Sequence, residues 1–166
     1  MGESWGDGGV RNMGRREQIE ALMIELGPLL NPMGIAAFPS ENVWGVQIDE
    51  ETSVLVDFEE ARDRLVLSCE IGVPPSGDRT RLYELMLRHN FHWNVTGGSR
   101  MAIDANDGNV VQIFDVPAAG IEVSGLHRVM QNFVDSARAW REIVRQPPGK
   151  RDGPITQSFE TPMIRA

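Results

Sequence analysis

The stretch VWGVQIDEETSVLVDFEEARDRLVLSCEI, residues 43–71, decides the fold class. It alternates apolar and polar residues in three runs. From Val43 to Asp49, Trp44, Val46 and Ile48 share one side, opposite Val43, Gly45 and Gln47. From Ser53 to Phe58, Val54, Val56 and Phe58 do the same, and from Arg64 to Ile71 so do Leu65, Leu67, Cys69 and Ile71. Side chains of a strand point alternately to its two faces, so a period of two predicts strands with one apolar face. The links Glu50–Thr52 and Glu59–Asp63 are short and polar. Only antiparallel neighbours join through links that short. An antiparallel meander follows, and Pro74-Pro75 ends it.

Upstream the period changes to that of a helix. Ile19, Leu22, Met23, Leu26, Leu29 and Leu30 recur at spacings of three and four, predicting a first helix from about Arg15. Pro28 lacks the N–H that a helix interior needs, so the helix is expected to kink or stop there. Downstream, a second helix is expected from Asp78, as N-cap, to about His89, with Leu82, Leu85, Met86 and His89 as its stripe. A hairpin comes next: Arg100–Ala105, an Asn-Asp-Gly-Asn turn at 106–109, then Val110–Val116. The last helix begins near Ser124 and carries Leu126, Val129, Met130, Phe133, Ala137, Trp140 and Val144 on one face, and Pro147 closes it. The order is α-β-β-β-α-β-β-α. That predicts an α+β fold in which an antiparallel sheet packs against helices.

The ends have another character. Residues 1–14 hold five glycines, and residues 147–166 start Pro147-Pro148-Gly149. A flexible leader (1–14), a single folded domain (15–146) and a flexible tail (147–166) are expected. The leader's charges sum to −1 and the tail's to +1, so the net charge of −8 falls on the folded part. Such an acidic surface repels phosphate backbones and anionic lipid heads, which argues against nucleic-acid binding. The leader lacks the apolar core of a signal peptide, and no run approaches the roughly 20 apolar residues of a membrane span. Cys69, the only cysteine, excludes an internal disulfide and fits a reducing cytoplasm.

Motifs of catalysis are missing from the sequence. Asp104-Ala-Asn-Asp-Gly108 resembles a calcium loop but is one residue short before its glycine and lacks the glutamate at the twelfth loop position, so it is expected to be a hairpin turn. His89 and His92 stand three apart with no third metal ligand at a recognisable spacing, His127 being alone on another helix. Cys69 sits where a core strand buries its side chains, so it is expected to be a structural thiol. No catalytic, cofactor-binding or metal site is therefore expected, and a binding role is.

Several phrases carry a resemblance: LYELMLRHNF at 82–91, Met101-Ala-Ile-Asp104 before the Asp-Gly turn, Val110–Pro117, and FVDSARAW at 133–140. In their order and spacing they resemble the CesT-like, or class I, type III secretion chaperones over roughly residues 16–146. The resemblance implies a bacterial cytoplasmic homodimer that holds the N-terminal region of a secreted effector non-globular. It implies a dimer interface at Leu82, Leu85, Met86, Met101 and Ile103. It also implies effector-binding pockets at Leu22, Met23, Leu26, Trp44 and Val46, beside a sheet edge to which the effector adds a strand. A CesT-like fold used outside secretion, as in YbjN-type sensory domains, is the alternative, since fold alone does not fix function.

Overall fold

A computed structural model describes residues 14–77 and 79–147. The expected leader and most of the expected tail lie outside the described residues, as does Asp78, the expected cap of the second helix. In chain order the elements are α1 (Arg15–Leu30), β1 (Gly34–Phe38), β2 (Val43–Gln47), β3 (Ser53–Glu59), a single 3-10 turn (Glu60–Arg62) and β4 (Arg64–Gly72). Then follow α2 (Thr80–Phe91), α3 (Trp93–Thr96), β5 (Arg100–Ile103), β6 (Val110–Pro117) and α4 (Val123–Arg145). The alternation of helices and antiparallel strands agrees with the sequence, with one strand more, β1, and the short α3.

All six strands form one antiparallel sheet in the order β1-β2-β3-β4-β6-β5. Register makes the faces consistent from edge to edge. Ile35, Val46, Val54, Cys69, Gln112 and Met101 lie in one row across the inner face. Ala36, Gly45, Leu55, Ser68, Ile113 and Arg100 form the matching row outside. The inner face joins Ile19, Met23 and Leu26 of α1, Leu82, Leu85 and Met86 of α2, and the whole predicted stripe of α4 in one core. Each such side chain, taken fully from water, contributes on the order of 1.5–3 kcal/mol.

Pro28 lies inside α1 without breaking it. It falls in the last turn, and the helix ends two residues later at Leu30, after which Asn31 takes a left-handed backbone (φ 46°) and donates its N–H to the Gly27 carbonyl. Proline forgoes only the one bond to the Ile24 carbonyl, and so close to the end no further full turn remains for it to disrupt.

Three arginines on successive turns of α4 fix it to the β2–β3 turn and the end of β4. Arg138 pairs with Asp49 at 2.7 Å and holds that carboxyl at about 2, mainly by its hydrogen bond. Arg145 pairs with Glu51 at 2.7 Å. Arg141 between them is buried and donates to the Ile71 and Glu70 carbonyls (both 3.3 Å) and to Thr52 Oγ1 (3.0 Å).

Candidate interaction surfaces

The residues first considered for chemistry are separated by the fold. Cys69 is buried, and burial pushes its thiol up to about 11, so it is not a thiolate near neutral pH. His89 is buried edge-on to Trp140, with ring centroids 5.2 Å apart, whereas His92 is exposed. Among the described residues no three His, Cys, Asp or Glu side chains are grouped to hold a metal ion. The turn at 104–109 closes on itself: Asp104 Oδ1 accepts from the Asn106 N–H (2.8 Å), Asp107 Oδ1 from the Asn109 N–H (2.9 Å), and Asp104 N–H donates to the Asn109 carbonyl (2.8 Å).

The structure places the expected binding residues mostly inside the single chain. Met23, Leu26, Trp44 and Val46 are buried in the chain's own core, as are Leu82, Leu85, Met86 and Met101. Leu22 is half-buried against that core, and only Ile103 is exposed. Helical and strand periodicity finds the side that is hidden, but does not say what hides it. Here the single chain hides it.

Apart from Leu55 and Val73, the large apolar side chains that reach the surface gather at the two opposite edges of the sheet. At the β1 edge, Met33, Ile35 and Phe38 are exposed, with Ile24 and Leu29 of α1 nearby in the chain. Every residue of β1 is exposed, and among the described residues no strand pairs with its outer side. Gly27 lets α1 approach this edge: a Cβ there would stand 3.3 Å from Ile35 Cδ1. Chain entry and exit are tied down, since Met33 N–H donates to the Gln47 carbonyl (2.8 Å) and an Arg16 guanidinium N–H donates to the Pro39 carbonyl.

At the β5 edge the exposed group is Leu87 (69%) and Phe91 (78%) of α2, Trp93 (69%) and Val95 of α3, and Ile103. Leu87 and Phe91 are four apart and so lie on one side of α2, away from its buried stripe. The backbone of this edge is occupied. Asn90 Nδ2 donates to the Met101 carbonyl (3.0 Å), and Met101 N–H donates to Asn90 Oδ1 (2.8 Å). One carboxamide thereby satisfies a donor and an acceptor that an added strand would need. The Ser99 carbonyl accepts a hydrogen bond from His89 and one from the Thr96 hydroxyl (3.5 Å). The sheet thus has one open edge and one plugged edge, both flanked by apolar side chains. No local sequence pattern marks Asn90 for this role, because its partner Met101 lies in another element.

Comparison with known proteins agrees with this architecture. A chain of the HopA1–SchA chaperone–effector complex matches with a TM-score of 0.63 and 19% identity, over 76% of this chain and 95% of the other. A chain of the ExsC–ExsE complex matches with a TM-score of 0.69 and 18% identity, over 80% and 98%. A chain of the heterodimeric ExoU–SpcU complex from the type III secretion system of Pseudomonas aeruginosa matches with a TM-score of 0.51 and 16% identity, over 62% and 83%. A search of curated proteins finds no significant match. The model of the Tir chaperone protein (CesT) family matches residues 26–141, most of the folded part. With that match and the shared sheet-and-helix fold, the chain belongs to the Tir chaperone protein (CesT) family.

Proposed function

We propose that this chain is a type III secretion chaperone that acts in the bacterial cytoplasm, without catalysis, as a homodimer holding a segment of a secreted effector. The observation that carries the mechanism is the contrast between the two edges of the sheet. An extended client can add main-chain hydrogen bonds only where an edge is unpaired, and that is β1. Its side chains then meet Ile24, Leu29, Met33, Ile35 and Phe38, which give affinity without demanding a particular sequence. The plugged β5 edge suits a different contact, side chain against side chain, and Leu87, Phe91, Trp93, Val95 and Ile103 provide it for a second copy. No helix among the described residues is long and apolar enough to cross a membrane.

Solved structures with this fold support the reading: the HopA1–SchA structure is a chaperone–effector complex, and ExoU–SpcU comes from a type III secretion system. The deciding experiment is co-purification from the native bacterium, followed by proteolytic trimming. The expected prey is a secreted protein whose N-terminal region alone remains bound, and whose export falls when this chain is deleted. Substituting Ile35→Asp and Phe38→Asp together is expected to abolish capture while leaving the dimer intact. A prey that stays bound to that variant, or whose export ignores the deletion, contradicts the proposal.

A further inference from the structure

Gly45 stands in the middle of β2, next to the open edge strand, and nothing in the described chain requires a glycine there. Its φ is not positive, and the register with β1 and with β3 runs through it without a bulge. A Cβ at this position would stand 3.8 Å from both Leu55 Cδ2 and Phe38 Cε2, ordinary contacts that an alanine would make without displacing either. Glycine weakens a strand interior, and with a bulge and a bend set aside, the cause that remains is the close approach of a ligand. Its neighbour in the same row of the outer face is Ala36 of β1. The two smallest side chains of that row thus lie together beside the edge, walled by Phe38 and Leu55, each 47% exposed. The helices α1, α2 and α4 pack on the inner face, so none of them covers this hollow.

We propose that the hollow is a subsite for one long apolar side chain, of the length of phenylalanine or methionine, on the extended client segment that adds to β1. The inference rests on the reading of β1 as the client edge and names what that edge selects. A strand paired with β1 continues the rows of the sheet, so its residue in line with Ala36 and Gly45 projects on the outer face. Neighbouring strands are about 4.8 Å apart, which puts Gly45 about 10 Å from the client's backbone. Alanine or valine in that row ends above Ala36. Phenylalanine or methionine lies across Ala36, and its tip meets the space that Gly45 leaves between Phe38 and Leu55. The inner face offers no such room beside the edge. Its row there runs Ile35, Val46, Val54, and α1 closes on it at Gly27, where a Cβ would stand 3.3 Å from Ile35 Cδ1. An edge that binds mainly through backbone hydrogen bonds thereby discriminates by side-chain length at one outer position.

The test uses the full chain carrying Ser40→Cys, an exposed position just past β1, and threonine peptides as long as the five residues of β1. Each peptide has a thiol at one end and a single guest residue in the middle. Cys69, only 2% exposed, stays out of the exchange. When two peptides compete for the new thiol at equilibrium, the ratio of mixed disulfides reports the preference between their guests. Phenylalanine and methionine are expected to exceed alanine and valine by at least about fivefold, the factor that one or two buried methylenes supply. The methyl signals of Leu55 are expected to shift with them. Gly45→Val should abolish the preference and Gly45→Ala should reduce it; if the valine variant does not fold, the alanine variant decides. Equal competition by all four guests, or a preference that survives the Gly45 substitutions, would overturn the subsite. Leu55 shifts that grow with protein concentration, without any peptide, would give the hollow to a second copy and equally overturn it. These failures leave the edge reading standing where Ile35→Asp with Phe38→Asp still abolishes capture of the native client. Capture that persists in that double variant overturns the edge reading, and the subsite with it.

Discussion

A histidine packed against an indole cannot take up a proton unless the proton's charge is somehow solvated. His89 meets Trp140 edge-on, and its Nε2 has no hydrogen-bond partner among the described residues. Burial, opposed by the hydrogen bond to the Ser99 carbonyl, lowers its value from 6.5 to about 4. Because the folded value lies below the unfolded one, its contribution to stability is complete above about pH 7 and is lost as the pH falls toward 4. Urea unfolding of the native chain is expected to lose about 2 kcal/mol between pH 7 and pH 5 from this group. His89→Leu should flatten that slope, and an unchanged slope would mean that the imidazole is hydrated. Arg141 makes the converse case, a buried charge held by neutral acceptors. Arg141→Met strands two buried carbonyls and Thr52, at an expected cost of about 2–4 kcal/mol. Arg145→Met, which removes only the exposed pair with Glu51, is expected to cost less than about 1 kcal/mol. Comparable losses in urea titrations would show that the buried contacts add nothing.

Within α2 the two apolar faces lead to opposite expectations. Leu85 is in the core, so Leu85→Asp should unfold the chain by burying an unpaired charge. Leu87→Asp with Phe91→Asp changes side chains that a single copy leaves in water, so the chain should stay folded and sediment at 18.5 kDa rather than twice that. A folded double variant that still sediments as a dimer would place the interface elsewhere. The sequence revealed one of these faces readily. Leu82, Leu85, Met86 and His89 repeat with helical period and are the buried stripe, but periodicity could not tell a core from an interface, and here they are core. Leu87 and Phe91, four apart and exposed, form a second face that this stripe does not include. The strands at 43–47, 53–59 and 64–72 were legible because one side of each is wet, which imposes the period of two. β1 was not, because Gly34-Ile-Ala-Ala-Phe38 has no polar alternation, contains two alanines of low strand propensity and lies between Pro32 and Pro39. It is a strand because β2 offers it a partner, a long-range cause that a local pattern cannot show. The plug formed by Asn90 was hidden for the same reason: its partner, Met101, lies eleven residues on, in another element.

At the scale of the assembly, joining two copies through the α2–β5 edge leaves each copy's β1 edge on the far side of its own sheet, because the two edges are the first and last strands in the order. The dimer then has two open edges facing away from the contact. A client long enough to reach both binds the second edge as an intramolecular step, at an effective concentration set by the connecting segment, and avidity exceeds that of one edge by factors of roughly 10²–10⁴. The Leu87→Asp and Phe91→Asp double variant therefore serves a second purpose. It leaves β1, Ile35 and Phe38 untouched, so each monomer keeps a complete edge. If the client spans the dimer, calorimetric titration should give one client per native dimer, and the monomeric variant should bind it at least about tenfold more weakly. A client segment trimmed to half its length should bind native dimer and variant alike, since neither can then use a second edge. Equal affinity of the full-length client for dimer and monomer would show that each β1 edge works alone, and the dimer would need another reason to exist.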